Sequence, residues 1–180
     1  MQQSNHKVIL FIAMSLDGFI AKPDGDIRFL SAVEQENEDY GYAKFLETVD
    51  TIILGRKTYD KILSMGSDWP YGDRNVFVLT RNPHPATDKI TFYSGSLPEL
   101  ISSVKSKDGK NIYCDGGAET IHQLLQEDLI DELTVSVIPI LLGEGIRLFN
   151  GNYPEKKLRL VHCNSFEKGL VQLHYVGIKE

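Results

Sequence analysis

Short apolar runs alternate with amphipathic stretches along the chain. Residues 8–14 read Val-Ile-Leu-Phe-Ile-Ala-Met without a polar break. That is too continuous for a strand with one wet face and predicts a central strand covered on both sides. Residues 51–54, 76–79 and 111–114 repeat this short β-rich pattern. Between them the pattern predicts helices over about 34–47, 57–63, 97–105 and 118–126; in the last, Ile121, Leu124 and Leu125 fall on one face. Strands separated by helices of about ten residues imply parallel βαβ units with right-handed crossovers. The last third differs. Residues 133–138 read as a strand and 139–151 as a loop punctuated by Gly and Pro. Residues 158–165 and 170–178 read as an antiparallel hairpin turning at Glu167-Lys168-Gly169. The expected fold is one α/β domain over 1–180: a mostly parallel sheet, helices on both faces and an antiparallel C-terminal edge.

Composition narrows the function. With 180 residues, 42% hydrophobic and 24% charged, the chain has enough core to fold without staples. The 19 Lys+Arg against 25 Asp+Glu leave a net charge of −6, and no basic run exceeds Lys156-Lys157. Nucleic acid is therefore excluded as the expected partner, although one local basic pocket for a phosphorylated small molecule is not. The apolar run near the start is far shorter than the roughly 20 residues of a membrane span. No small-residue cleavage site follows it. Cys114 and Cys163 lack CxxC spacing and read as reduced core thiols, which fits a cytoplasmic protein.

Familiar sites are missing: no GxGxxG, no GxxxxGK[ST], no HxE with PCxxC, no GxSxG, and no histidine pair at metal-ligand spacing. Three strand-to-turn junctions remain. At Gly55-Arg56-Lys57-Thr58 a buried strand turns into a helix start with two cations, which suits a pyrophosphate or is a Gly turn with a solvated basic first turn. Thr80-Arg81-Asn82 offers a hydroxyl and a guanidinium that suit a phosphomonoester, or a plain turn. Asp115-Gly116-Gly117-Ala118-Glu119 joins a strand to a helix through two glycines that let a ligand approach the backbone, or make a tight βα turn. All three lie at carboxyl ends of predicted parallel strands, where open α/β sheets bind ligands.

These stretches, with Ala13-Met14-Ser15-Leu16-Asp17-Gly18-Phe19-Ile20-Ala21, Asp131-Glu132-Leu133, Pro139, Gly143 and Gly145 to Leu148-Phe149, run in an order that resembles the dihydrofolate-reductase-like superfamily. Within it the chain looks most like the reductase domain of bacterial riboflavin biosynthesis and its stand-alone relatives. The resemblance implies a three-layer fold around a mixed, mainly parallel eight-stranded sheet, with NADPH as hydride donor. Ala13 and Ile20 would line the nicotinamide pocket, with residues 15–18 in a mobile loop closing over it. Gly55, Arg56, Lys57 and Thr58 would hold the pyrophosphate and adenosine phosphate end, Thr80 and Arg81 the 2′-phosphate. Gly116, Gly117, Ala118 and Glu119 would bind the other side of the pyrophosphate. The substrate would be a small pyrimidine- or pteridine-type heterocycle, foremost 5-amino-6-(5-phosphoribosylamino)uracil. Dihydrofolate and a non-catalytic NADPH-binding module are the alternatives.

Hydride transfer leaves charge on a heteroatom that an acid must help protonate. By the spacing of folate-reducing relatives, the substrate-binding acid falls on or beside Asp39 of the predicted first helix, where Glu34, Glu36 and Glu38 also crowd. A phosphoribosyl group would need further cations, for which Arg74, Arg147 and Lys156 are candidates. Trp69 reads as a loop anchor or a wall for the substrate ring, and Asp17 as the cap of the turn before Gly18 or a ligand contact. The long apolar segment 133–142 and the family's pairing through C-terminal strands imply a homodimer.

Overall fold

The computed structural model describes residues 6–66, 68–82 and 84–178. The elements in chain order are β1 (Val8–Ser15), β2 (Phe19–Ala21), a 3₁₀ turn (Arg28–Val33), α1 (Tyr42–Glu47), β3 (Val49–Gly55), α2 (Arg56–Ser64), β4 (Asn75–Leu79) and β5 (Ile90–Tyr93). They continue with α3 (Leu97–Lys105), β6 (Asn111–Gly116), α4 (Ala118–Gln126), β7 (Glu132–Ile138), β8 (Ile146–Arg147), β9 (Leu158–Ser165) and β10 (Val171–Gly177). Eight strands form one sheet in the order β5-β4-β3-β6-β1-β7-β10-β9. Every pairing from β5 to β7 is parallel, and β10 runs antiparallel to both β7 and β9. The eight-stranded, mainly parallel sheet with its C-terminal hairpin is the expected fold.

The unbroken apolar runs have a simple cause. Ile53, Ile112 and Cys114 face a cluster completed by Leu97, Leu100 and Ile101 of α3 and by Ile121 and Leu124 of α4. Their neighbours Ile52, Leu54 and Tyr113 face the opposite layer, packed against Tyr42 and Phe45 of α1 and Tyr59 and Ile62 of α2. Alternate residues of one strand thus meet different helices, and both must be apolar. A third cluster joins Phe29 and Val33 of the 3₁₀ turn to Ile138 and Leu170.

Three expectations need correction. Residues 34–47 are not one helix. A bridge between Gln35 and Glu38 and positive φ at Asn37, Tyr40 and Gly41 interrupt the backbone, leaving α1 six residues. The Glu34/Glu38 repulsion at i, i+4, worth a few tenths of a kcal/mol, works against a helix there as well. The loop 139–151 contains β8, which pairs with β2 in a separate two-stranded sheet; neither short strand nor the edge strand β5 was expected. Cys114 is buried, but Cys163 is exposed on the edge strand β9. The apolar excess of 133–142 belongs to β7, which lies between β1 and β10, and to Ile140 and Leu142, which pack on the third cluster. Among the described residues no helix is long and apolar enough to cross a membrane.

Candidate active site

The three strand-to-turn junctions meet. Leu54 of β3 pairs with Gly116 of β6, and Gly55 with Leu79 of β4, so the turns at 55–58, 79–82 and 115–119 end neighbouring strands. α2 and α4 begin at once behind Gly55 and Gly117, and neither N-terminus is capped by a side chain. Their first backbone N–H groups and the positive ends of two dipoles are available to an anion. A Cβ on Gly55 would stand 2.8 Å from Thr120 Oγ1, and one on Gly117 3.1 Å from Thr58 Oγ1. Each glycine therefore lets one helix start close against the other. Gly116 has φ +109 and precedes a cis peptide. Cations surround this edge: Arg56 bonds Asp60 at 2.8 Å and lies over the Phe92 ring, and Lys57 is exposed. Arg81, 94% exposed, is only loosely paired to Glu119 at 3.6 Å. The Thr80 hydroxyl accepts from the Asn82 N–H, so the plain-turn reading describes that backbone while leaving the guanidinium outside it.

Beside this edge, on the face covered by α1, lies a cleft of about 630 Å³. Ala13 and Phe11 of β1, Ser136 and Ile138 of β7, and Tyr42 are among its walls; Ala13 stands directly opposite Ser136 in the β1–β7 pairing. Ile20 lies elsewhere, on β2, packed against the first core cluster. Asp39 does line the cleft, but from an irregular segment rather than a helix. Its Oδ1 accepts from Gly41 N at 2.9 Å and its Oδ2 from Ala43 N at 2.8 Å. The carboxylate thus holds the first turn of α1, a role that Asp performs well at helix starts.

A polar cluster between the cofactor-type edge and the cleft was not anticipated. Asp115 is the extra residue of a register shift in β6, since Ile53 pairs with Cys114 and Leu54 with Gly116. Its carboxylate accepts from the Tyr71 hydroxyl at 2.7 Å and from the Tyr113 hydroxyl. Desolvation pushes its pKa above the usual carboxylate range, and the two hydroxyls partly offset this. The Tyr42 ring packs edge-on against Tyr113, with centroids 6.2 Å apart. Burial, with the Asp115 charge nearby, pushes Tyr42 up to about 12, so it keeps its proton at neutral pH. Tyr42 touches both the cluster and the cleft. The spacing Tyr113-x-Asp115 is the signal that sequence reasoning passed over; the contributions of Tyr71 and Tyr42 come only from the fold.

The loop after β1 is tied down. Asp17 accepts from the Ser15 hydroxyl at 2.5 Å, from Leu142 N at 3.1 Å and from Gly143 N at 2.7 Å. The Ser15 bond, with the two backbone N–H groups, holds its pKa down to about 2. Asp17 is therefore a structural cap linking two loops. Trp69 packs edge-on against Tyr59 and Tyr71 as a loop anchor, not a wall of the cleft. The three further cations also serve the fold. Arg74 donates to the carbonyls of Leu46, Val49 and Tyr71. Lys156 bonds Asp128 and the Ile130 carbonyl, each at 2.6 Å. Arg147 lies 4.6 Å over the Phe19 ring.

Comparisons with known proteins bear on the family and the fold. The uncharacterised protein YwjB of Bacillus subtilis is 43% identical over 171 residues, 94% of this chain and 97% of that one. The riboflavin biosynthesis protein RibD of Corynebacterium ammoniagenes is 28% identical over 77% of this chain and 44% of its own length. A crystal structure from Shewanella sp. PV-4, described as a riboflavin biosynthesis protein, superposes with TM-score 0.89 at 35% identity, covering 96% and 99% of the two chains. Two more distant structures share the fold. One is the deaminase/5-amino-6-(5-phosphoribosylamino)uracil reductase of Thermotoga maritima (TM-score 0.72, 15% identity, 96% and 57% covered). The other is dihydrofolate reductase of Enterococcus faecalis in complex with NADP(H) (0.68, 18%, 96% and 97%). The profile of the RibD C-terminal domain matches residues 69–172, a span that includes the turns at 80–81 and 115–119, and the chain belongs to that family, within the dihydrofolate-reductase-like fold.

Proposed function

We propose that the chain is an NADPH-dependent reductase that transfers a hydride to a C=N or C=O carbon of a pyrimidine- or pteridine-type small molecule. The observation that carries the reading is the meeting of three strand-end turns, on β4, β3 and β6, next to a cleft large enough for a heterocycle. The residues fit a dinucleotide phosphate. Two uncapped helix starts face one edge, and Arg56, Lys57 and Arg81 supply positive charge there. On this reading Gly55, Arg56, Lys57 and Thr58 hold one side of the pyrophosphate. Gly116, Gly117, Ala118 and Glu119 hold the other, and Thr80 with Arg81 takes the 2′-phosphate. Ala13, the small residue of the β1 wall, leaves room for the nicotinamide, and Ile20 supports the neighbouring core rather than touching it. When bound, the cofactor supplies the hydride.

This chain's own residues then orient the ring, exclude water and provide the proton. Asp39, held in place by two backbone N–H groups, accepts from ring N–H donors at the rim. Tyr42, protonated at neutral pH, gives a proton to the heteroatom and takes one back from the solvent at the mouth of the cleft. The ring chemistry of the Thermotoga enzyme's substrate makes an aminouracil the first compound to try. We also propose a homodimer through β9, an edge strand on which Leu158 and Leu160 are exposed. Light scattering at micromolar protein should give twice the 20.3 kDa chain mass.

The test of the cofactor is a melting titration with NADPH and, separately, NADH. A ligand bound only by the folded state stabilises by about 2.7 kcal/mol at a hundredfold excess over Kd. A large shift with NADPH and little with NADH is expected. No shift with either overturns the reading.

A further inference from the structure

We propose that the cleft beside Ala13 takes an uncharged or cationic, amino-rich heterocycle whose side chain carries no phosphate. This narrows the substrate class within the reductase reading and rests on it.

The floor of the cleft is apolar, made by Phe11, Ala13, Leu30 and Val33, and its rim carries four carboxylates, Glu34, Glu36, Glu38 and Asp39. No Lys, Arg or His is among the lining residues. A fifth carboxylate stands at the mouth, where Gln35 donates to Glu167 Oε2 at 3.2 Å. None of the four rim carboxylates takes part in a described ion pair. Glu38 and Asp39 are met only by backbone N–H groups, of Tyr40, Gly41 and Ala43. The guanidinium on the same segment, Arg28, is committed to Asp26 at 2.7 Å.

A phosphomonoester brings close to two negative charges and requires cations or a nest of N–H groups. The cations that could have served it have other work. Arg74 holds three carbonyls, Lys156 holds Asp128 and Ile130, and Arg147 covers Phe19. Arg56, Lys57 and Arg81 stand on the neighbouring edge, where the cofactor's own phosphates claim them. A phosphate placed in the cleft would instead face like charge, which discriminates strongly against a ligand. The same carboxylates are acceptors for ring amino and ring N–H groups. A cavity of about 630 Å³ accommodates a two-ring heterocycle or an aminopyrimidine with a sugar.

The test uses a matched pair: 5-amino-6-ribosylaminouracil and its 5′-phosphate, titrated calorimetrically into the NADPH-saturated protein. The unphosphorylated compound should bind at least about tenfold tighter at low ionic strength, with the gap narrowing as salt screens the rim. The triple variant Glu34→Gln/Glu36→Gln/Glu38→Gln keeps the Asp39 contact to α1. It should reduce the gap to about threefold or less without changing the affinity for NADPH. Equal or tighter binding of the phosphate overturns the proposal. So does a gap that neither salt nor the triple variant alters, and so does binding of neither compound at millimolar concentration. NADPH oxidation in the same mixtures separates the two readings. Preference for the unphosphorylated ring without turnover would sustain this inference and overturn the reductase reading, whereas turnover with a preference for the phosphate would do the reverse.

Discussion

At the ends of β3, β4 and β6 the protein presents backbone: two uncapped helix starts, close-set glycines and a fringe of Arg and Lys. A short distance along the sheet, at the cleft beside β1 and β7, it presents side chains: aliphatic and aromatic walls, two tyrosines and a rim of carboxylates. The first region suits an anionic ligand whose shape is fixed, and it is built from the regular part of the fold. The second is assembled from an irregular segment over 28–42, two strands and the turn of the C-terminal hairpin. An edge suited to an anion can thus be kept while the neighbouring cleft is altered. Opposite charge also sets the two regions apart: an anion favoured at the first is disfavoured at the second.

The largest expected effect tests the cationic side. Arg81→Ala removes the guanidinium assigned to the 2′-phosphate. A charge-assisted hydrogen bond of this kind is worth about 1.5–3 kcal/mol, so NADPH affinity should fall roughly 10- to 100-fold, with NADH unchanged. Equal losses for both cofactors, measured by melting titration, would break the assignment. The next effect tests the cleft. Tyr42→Phe removes the hydroxyl assigned as the proton donor, on a ring that lines the cleft and packs edge-on against Tyr113. Turnover should fall at least about tenfold, less than the roughly hundredfold or more of a general acid because water replaces the hydroxyl in part, with NADPH affinity retained and the pH profile of kcat changed. A rise in KM alone would reduce Tyr42 to a wall.

These two regions also differ in how much of them could be read from residues alone. The cofactor-type edge is local: a strand, a glycine and a helix start occupy consecutive positions, and parallel topology brings three such turns together. Gly55, Arg56, Thr80, Arg81, Gly116 and Gly117 therefore stand out before any coordinates. The cleft is not local. Its walls come from residues more than 100 positions apart, such as Ala13 and Ser136. Its 28–42 segment takes positive φ at Asn37 and Tyr40, where helical spacing of Glu and Tyr predicts a continuous helix. Tyr71 reaches Asp115 from 44 residues away, a contact no pattern encodes. Arg74, Arg147 and Lys156 could not be placed from the sequence for the same reason: whether Arg74 meets solvent or three carbonyls is decided by tertiary packing.

A smaller effect separates structure from chemistry at Asp39. Asp39→Ala removes both contacts to the first turn of α1 and should cost about 1 kcal/mol, typical of a lost helix cap. Asp39→Asn keeps a side-chain oxygen for that turn while removing the charge. If Asp39 orients the ring, both variants should lose affinity for an aminouracil, although only the first loses stability in denaturant unfolding. If Asp39 only supports α1, the Asn variant should bind like the parent, and the rim's charge would rest on the three glutamates.

The smallest effects lie in the pH dependence of stability, where two carboxylates act in opposite senses. Asp17 has a folded pKa near 2 against an ordinary value of 3.8. The unfolded chain binds more protons between those values, so Asp17 stabilises above about pH 4 and its contribution disappears as pH falls toward 2. Asp115 is shifted upward from 3.8 by desolvation. Just above that value the folded chain holds the extra proton, so its contribution makes stability decline as pH rises. Asp17→Asn loses an acceptor for Gly143 N, and its melting temperature should lie below the parent's at pH 7 and converge with it at low pH. Asp115→Asn should remove part of the decline above pH 4. The first result would tie the loop beside the cleft to an ionised latch. The second would mark the boundary between the two regions as a place where a proton is held rather than an anion bound. Parallel pH curves for both variants and the parent would show that neither carboxylate changes its proton affinity on folding.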